Sequence, residues 1–255
     1  MLFRALTSAR RKTPAAPEPG HFTLRLTAEE VVVQLRRNPR ARRYTLRVRA
    51  ATRDVMLTLP ARGTLPEALD FARRHAGWVE VRLARLPQAV LFAPGALLPL
   101  RGTPHRIVHR PDARGTVWTG SEDGEFMLFV AGDGAHVARR VGDFLKREAR
   151  RDLVEAAQRH ARALGVSLAR VTLRDTASRW GSCSSAGALS FSWRLILAPP
   201  SVLDYLAAHE VAHRREMNHG PRFWATVDAL FPERHAAEAW LKKHGAGLHR
   251  YGAGD

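Results

Sequence analysis

The sequence predicts an α+β fold, with strand-forming segments gathered in the first half and helices dominating the second. Three observations carry that prediction. Apolar residues alternate with polar ones at period two from His21 to Leu59. They recur at helical spacing from Val137 to Ala157, and the chain after Pro200 holds three further helical runs separated by Gly, Pro and Asn.

At 255 residues and 45% hydrophobic content the chain suffices for one large domain or two small ones. Composition excludes collagen-like, low-complexity and disulfide-rich classes. The single cysteine, Cys183, cannot form an internal disulfide, which fits a reducing compartment. The net charge is +17, and of the 41 cations 37 are Arg. Residues 1–150 hold 27 basic and 14 acidic residues, so +13; residues 151–255 hold 14 and 10, so +4. A basic excess invites a nucleic-acid or other anionic partner. Arg in place of Lys can equally record codon bias, and charge speaks to non-specific binding more than to function. Met1–Gly20 is basic and Pro-rich without the apolar run of a secretory signal. The longest apolar stretch, Ala89–Leu100, is broken by Pro94 and Gly95 and falls below the roughly 20 residues of a spanning helix. A cytoplasmic protein with no membrane partner is the expectation.

Element by element, residues 1–20 read as a disordered leader, and residues 21–130 as a β-rich basic region with one helix. Phe22/Leu24/Leu26, Val31/Val33/Leu35, Tyr44/Leu46/Val48 and Val55/Leu57/Leu59 give four strands. The arginines of the Arg40–Arg49 strand then project mainly to solvent. Thr64-Leu65-Pro66-Glu67 is a capping box that opens a helix to about Leu86, with Leu69, Ala76, Val79 and Leu83 on its apolar face. More strands follow between Val90 and Val130, where His105 and His109, four apart, sit in a strand and form no chelate. Residues 131–255 form a second domain that carries the chemistry. Its first helix stops at Gly165, a C-terminal cap. Strands follow around Val171 and over Leu189–Leu197, then helices over Ser201–Met217, Pro221–Phe231 and Glu233–His244. Phe223, Trp224, Val227, Leu230 and Trp240 read as core bracing the helix before them, and His235, His244 and His249 as surface.

The strongest motif is His209-Glu210-Val211-Ala212-His213. Prolines at 199 and 200, Ser201 as N-cap and Asp204 three residues on place it in a helix. Residues four apart share a helix face, so both imidazoles can grip one ion. Glu210 then lies beside the ion's open position, placed to take a proton from water. With 12 His and 13 Glu in the chain, chance supplies the pattern about 0.03 times per such sequence. Two residues compete as third ligand, with Glu216 a weaker candidate. His219, ten residues after His209, follows a turn at Asn218 and precedes Gly220-Pro221. Glu233, 24 residues after His209, lies at the start of a later helix, where a carboxylate also suits the dipole. Glu216 lies three residues after His213 and is better suited to solvent.

Arg179-Trp180-Gly181-Ser182-Cys183, the strand Leu189–Leu197, Asp204-Tyr205, His209–His213, Asn218-His219 and Phe223-Trp224 together resemble the YgjP-like family. These are zincin-fold proteins related to the SprT-type and WLM-type metallopeptidases. The resemblance is specific from Arg174 to Gly245 and looser back to about Arg40. It implies a zincin-like metallopeptidase domain with an active-site helix against a small sheet and a Zn2+ cofactor. It also implies His209, His213 and His219 as metal ligands and Glu210 as general base. Glu216 stands where a metzincin would carry Gly, so the equal His spacing does not make this a metzincin.

The resemblance implies a metal-dependent hydrolase, first of all a zinc metallopeptidase acting on an extended peptide. Members of the family have been associated with nucleoside triphosphate (UTP) pyrophosphatase activity, which makes a nucleotide substrate the alternative. A nucleic-acid-associated SprT-like protease is the second alternative, although no zinc finger, helix-turn-helix or aromatic RNA motif supports it. Arg179, Trp180, Arg194 and Tyr205 are the candidate substrate-binding residues: the strand after Gly181 can offer its edge to a peptide, and Arg179 or Arg194 can hold an anionic oxygen. Arg179 or Tyr205 can also steady an oxyanion. In the plainer reading Trp180 and Trp193 cover the core while Arg179 pairs with Asp175. A Cys183 nucleophile is superfluous beside a metal motif that supplies water.

Overall fold

The computed structural model describes residues 20–49, 53–86, 88–176 and 179–252. The leader expected over residues 1–20 lies, apart from Gly20, outside the described residues. The fold is α+β, and the chain divides into two compact units.

The first unit, within residues 20–48 and 54–82, holds β1 (His21–Arg25), β2 (Glu30–Arg37), β3 (Thr45–Val48) and β4 (Val55–Leu59) in the order β1-β2-β4-β3. Period-two patterning buries Leu24, Val33, Val55, Leu57 and Leu59 on one face. Helix α1 (Leu65–Arg74) packs on β1 and β4 through its small residues Ala68 and Ala72. Its capping box is formed as expected: the Thr64 side chain accepts from Glu67 N, and the Glu67 carboxylate accepts from Thr64 N. Two expectations are corrected. The helix does not run unbroken to Leu86: it stops at His75, whose ring bonds the Phe71 carbonyl, and α2 (Ala76–Ala84) begins afresh. Residues 40–44 are not strand, because Asn38 turns the chain by accepting from Arg40 N with its side chain and from Ala41 N with its carbonyl.

The second unit takes in Arg49, Arg53 and the described chain from Leu83 onward. Strands β5 (Leu97–Leu100), β6 (Thr103–Arg110), β7 (Val117–Glu122) and β8 (Glu125–Ala131) form a sheet in the order β5-β6-β8-β7. Its β7–β8 hairpin turns through Asp123 (φ 50°) and Gly124 (φ 81°), the paired positive φ that a two-residue loop requires. His105 and His109 sit in β6 as expected, bonded to the carbonyls of Thr103 and Gly132. Helix α3 (Val137–Leu164) is the spine, closed by Gly165 at φ 69°. Strands β9 (Arg170–Arg174), β10 (Gly181–Cys183) and β11 (Ala188–Ser192) make a small sheet in the order β10-β11-β9. A buried 3-10 segment, Trp193–Leu197, leads to α4 (Pro200–Ala212), α5 (Pro221–Leu230) and α6 (Arg234–Leu248). One continuous apolar core runs from Phe92 to Leu248, joining the β5–β8 sheet to the helices. No helix of the described residues is long and apolar enough to cross a membrane.

The start of α4 departs from expectation. Pro199 is the N-cap and makes no side-chain bond, so Ser201 lies inside the first turn. Asp204 serves tertiary structure instead: its Oδ1 lies 2.6 Å from His160 Nε2 on α3 and accepts from Arg159 Nη2 at 2.6 Å. Burial alone would raise the Asp204 pKa, but the His160 contact and the charges of His160 and Arg159 outweigh it and hold the carboxyl below its ordinary range. A depressed carboxylate pKa adds stability that is present above the unfolded value of about 4 and is lost as pH falls through the folded value. Asp204→Asn is therefore expected to cost about 1–3 kcal/mol at pH 7 and progressively less as pH falls below about 4, read from urea melts of both proteins. A penalty that stays constant with pH would refute this account of the α3–α4 clamp.

Candidate metal centre

Helix α4 is apolar on nearly every side, with nine of its 13 residues buried, Glu210 among them. It is held by α3 behind, β10 beside Glu210, and α5 and α6 in front. The helix ends at Ala212, five residues earlier than expected, so His213 is its C-cap residue and the chain turns at once toward His219. His209, His213 and His219 each offer a ring nitrogen within 4.8 Å of the others, and the Nε2 atoms of His209 and His219 are 3.2 Å apart. Glu233, the rival third ligand, is exposed at the N-cap of α6 and lies outside this cluster. Glu216 contributes its backbone carbonyl, bonded to His213 Nδ1 at 3.0 Å.

Burial governs the electrostatics. It lowers the pKa of His209 to about 4, aided by the charges of His213 and His219. It also lowers that of His213, against the pull of the Glu216 carbonyl. Both imidazoles are thus neutral at pH 7, the form that binds a metal. Burial raises Glu210 to about 7, with Arg179 acting in the opposite direction. A carboxyl poised near neutrality suits a general base.

Packing orients the donors. Phe223, fully buried on α5, touches all three imidazoles, with centroids 4.5 Å from His213, 4.7 Å from His219 and 4.9 Å from His209. Trp224 flanks His209 and His219. Tyr205, one helical turn before His209, places its hydroxyl 3.4 Å from His209 Nδ1 and donates to Glu238 Oε1 at 2.8 Å. Burial, then the Glu238 contact, pushes the Tyr205 pKa well up, so the phenol stays neutral. The Glu216 backbone carbonyl and the Tyr205 hydroxyl oxygen accept from Nδ1–H of His213 and His209, which leaves both Nε2 atoms for a metal, a usual second layer around ligating histidines.

The other sequence candidates are spread more widely. Arg179 is exposed beside Glu210, close enough for its charge to act there. Trp180 packs on His249, with centroids 5.0 Å apart. His249 is 6% exposed, not the surface residue expected, because the end of α6 folds back over that tryptophan. Arg194 is buried, paired through Nε and Nη2 with Asp175 and bonded through Nη1 to the Leu248 and Tyr251 carbonyls. Asp175 therefore pairs with Arg194, not with Arg179. Cys183 lies near enough for the Glu210 charge to act on it, and burial raises its thiol pKa. Two contributors escaped the sequence reading. Glu238 supports His209 through Tyr205. Gly181, expected only to shape a turn, abuts the Glu210 carboxylate, where an added Cβ would collide with it.

An α+β unit whose buried helix offers two histidines and a carboxylate, completed by a third histidine from the next turn, defines a metal-dependent hydrolase of the zincin type. The family described as YgjP-like, metallopeptidase domain, matches residues 42–244, and the chain belongs to that family. The crystal structure of the metallopeptidase zymogen of Pyrococcus abyssi abylysin is similar at 20% identity and a TM-score of 0.33, over 36% of this chain and 92% of that one. No curated protein matches.

Tyr205→Phe and Glu238→Gln are each expected to weaken metal affinity about 10–100-fold in chelator competition, while Glu233→Ala leaves it unchanged. Unchanged affinity in both of the first two variants would dismiss the Tyr205–Glu238 support.

Proposed function

We propose that the protein is a cytoplasmic zinc-dependent peptidase acting on extended polypeptide, with the chemistry carried by residues 131–255. The observation that carries this reading is the meeting of three imidazoles with the buried Glu210 carboxyl. An all-imidazole donor set with one open position suits zinc better than hard, oxygen-seeking cations. His209, His213 and His219 would hold it. When bound, the ion supplies Lewis acidity, acidifying water toward a pKa of about 7 and polarising a carbonyl.

The remaining steps belong to the chain's own groups. Strand β10 is an edge of its sheet, so its outer backbone groups can pair with a substrate main chain and align it past α4. Glu210 accepts at a carboxylate oxygen the proton released by the attacking water and returns it to the departing amide nitrogen. Gly181 leaves room for that carboxylate. Arg179, beside Glu210, is placed to hold a substrate oxygen. Tyr205, committed to Glu238, serves as a positioning residue beneath His209, and Arg194 serves as a structural clamp.

The exposed arginine beside Glu210 equally favours a second reading, hydrolysis of a nucleoside triphosphate. An unfolded protein and a nucleotide panel separate the two. Glu210→Gln is expected to retain metal and lose about 10²–10⁴-fold in peptide hydrolysis. Gly181→Ala, which crowds the same carboxylate, is expected to retain metal and lose activity in the same direction. Peptide hydrolysis that survives Glu210→Gln would overturn the mechanism, and turnover of nucleotides alone would select the second reading.

A further inference from the structure

The small sheet has two unlike faces. Val171, Leu173, Leu189 and Phe191 turn toward the core. Their neighbours turn the other way, and the register places Arg170 beside Ala188, Thr172 beside Ser190, and Ser190 beside Ser182. A groove of about 400 Å³ lies on that second face, lined by Arg170, Arg174 and Arg179 with the hydroxyls of Thr172, Ser182 and Ser190. All three arginines are exposed, and no carboxylate among the described residues lines the groove. Asp175, next to Arg174 in sequence, is taken by Arg194. The site is therefore strongly cationic, rich in donors and without internal neutralisation.

Its shape selects among anions. Arg170 and Arg174 stand at the two ends of β9, roughly 13 Å apart along a strand. Charges spread in this way match carboxylates distributed along an extended chain better than one compact polyphosphate. Among the described residues the lining holds no aromatic ring on which a base could stack and no glycine-rich cradle of backbone N–H groups. Location links the groove to the metal centre. Ser182 and Cys183 of β10 line it, while Gly181 of the same strand abuts Glu210. A polypeptide added along the free edge of β10 would alternate its side chains between the Glu210 side and the groove side.

We propose that this groove is an exosite selecting Asp and Glu side chains of an extended polypeptide substrate, a proposal that names the substrate class of the peptidase reading and rests on it. The planar guanidinium groups would hold the carboxylates bidentately, with the serine and threonine hydroxyls as further donors.

The test uses the full chain carrying Glu210→Gln, so that binding is read without cleavage. A fluorescent peptide with Asp or Glu at alternate positions is compared by anisotropy with its Asn/Gln isostere, against Arg170→Gln/Arg174→Gln in the same background. Inorganic triphosphate and single-stranded oligonucleotide serve as competitors. The acidic peptide is expected to bind about tenfold tighter than the isostere, with the preference abolished by the double substitution and shrinking as salt rises. Metal content and melting temperature are measured on the same samples to confirm that the variants are folded. Equal binding of the two peptides, or a preference that survives the double substitution, would overturn the proposal. Displacement by triphosphate or oligonucleotide at lower concentration than by unlabelled acidic peptide would overturn it too, assigning the groove to phosphate ligands. Absent preference with peptide hydrolysis intact in the native chain removes the exosite alone. Acidic-peptide binding without any hydrolysis removes the peptidase reading alone.

Discussion

The structure depends on one constraint: a helix buried on nearly all sides must carry ionisable groups. Most helices of globular proteins keep such residues on a solvated face, whereas α4 has almost none. Desolvation penalises whichever form is charged, so a single cause moves acid and base in opposite directions. It drives His209 down to about 4 and Glu210 up to about 7. Neutral imidazoles and a carboxyl that exchanges its proton near neutrality are what metal-assisted hydrolysis requires. The chemistry thus follows from where α4 is packed as much as from which residues it carries.

Burying those groups is tolerable only if the surroundings satisfy them. Each partner comes from a different element. The turn after α4 supplies the Glu216 carbonyl, α5 supplies Phe223 as the wall common to the three rings, and α6 supplies Glu238. Glu238 is itself held by Arg234, whose guanidinium also pairs with Asp228 and lies 4.6 Å over the Trp224 ring. The two last helices therefore form the outer layer of the metal centre, and their amphipathic patterns alone reveal none of this.

What could be read from the sequence divides along range. His209, Glu210 and His213 are legible because helical spacing is a local property, and His219 because Asn218 and Gly220-Pro221 mark a turn that brings it back. The α3 boundaries are legible for the same reason, with Gly165 in the left-handed region that ends a helix. Glu238 is not, since it lies 33 positions from Tyr205 and nothing in its own neighbourhood distinguishes it from a solvated helix carboxylate. The Arg194–Asp175 pair and the burial of His249 also depend on distant segments meeting. Within the first unit, a strand pattern over residues 40–44 lost to the turn at Asn38, and a helical pattern lost to a break at His75. In both cases a short-range polar contact overrode apolar periodicity.

The preponderance of Arg over Lys also has a structural component. In the second unit, guanidinium groups repeatedly close the backbone. Arg215 bonds the Leu164 carbonyl at the end of α3, Arg214 bonds the Ser167 and Ser185 carbonyls, and Arg140 bonds that of Ala131. Arg101 spans Glu148 and Asp152 on α3, and Arg194 joins a carboxylate to two carbonyls. A lysine ammonium, with a single nitrogen, could not span such sets of acceptors. Codon bias alone would place arginine without regard to acceptors, yet Arg101, Arg194 and Arg214 each bind more than one. Arg170, Arg174 and Arg179 stand apart from this pattern: they share one groove beside the strand that borders Glu210, with no carboxylate among the described residues of its lining. Guanidinium groups that fasten the fold have donors committed to carboxylates or carbonyls, whereas those in that groove remain available to a ligand. The half of the chain with the smaller excess, +4 against +13, thus concentrates three arginines into a local field beside the strand that borders Glu210.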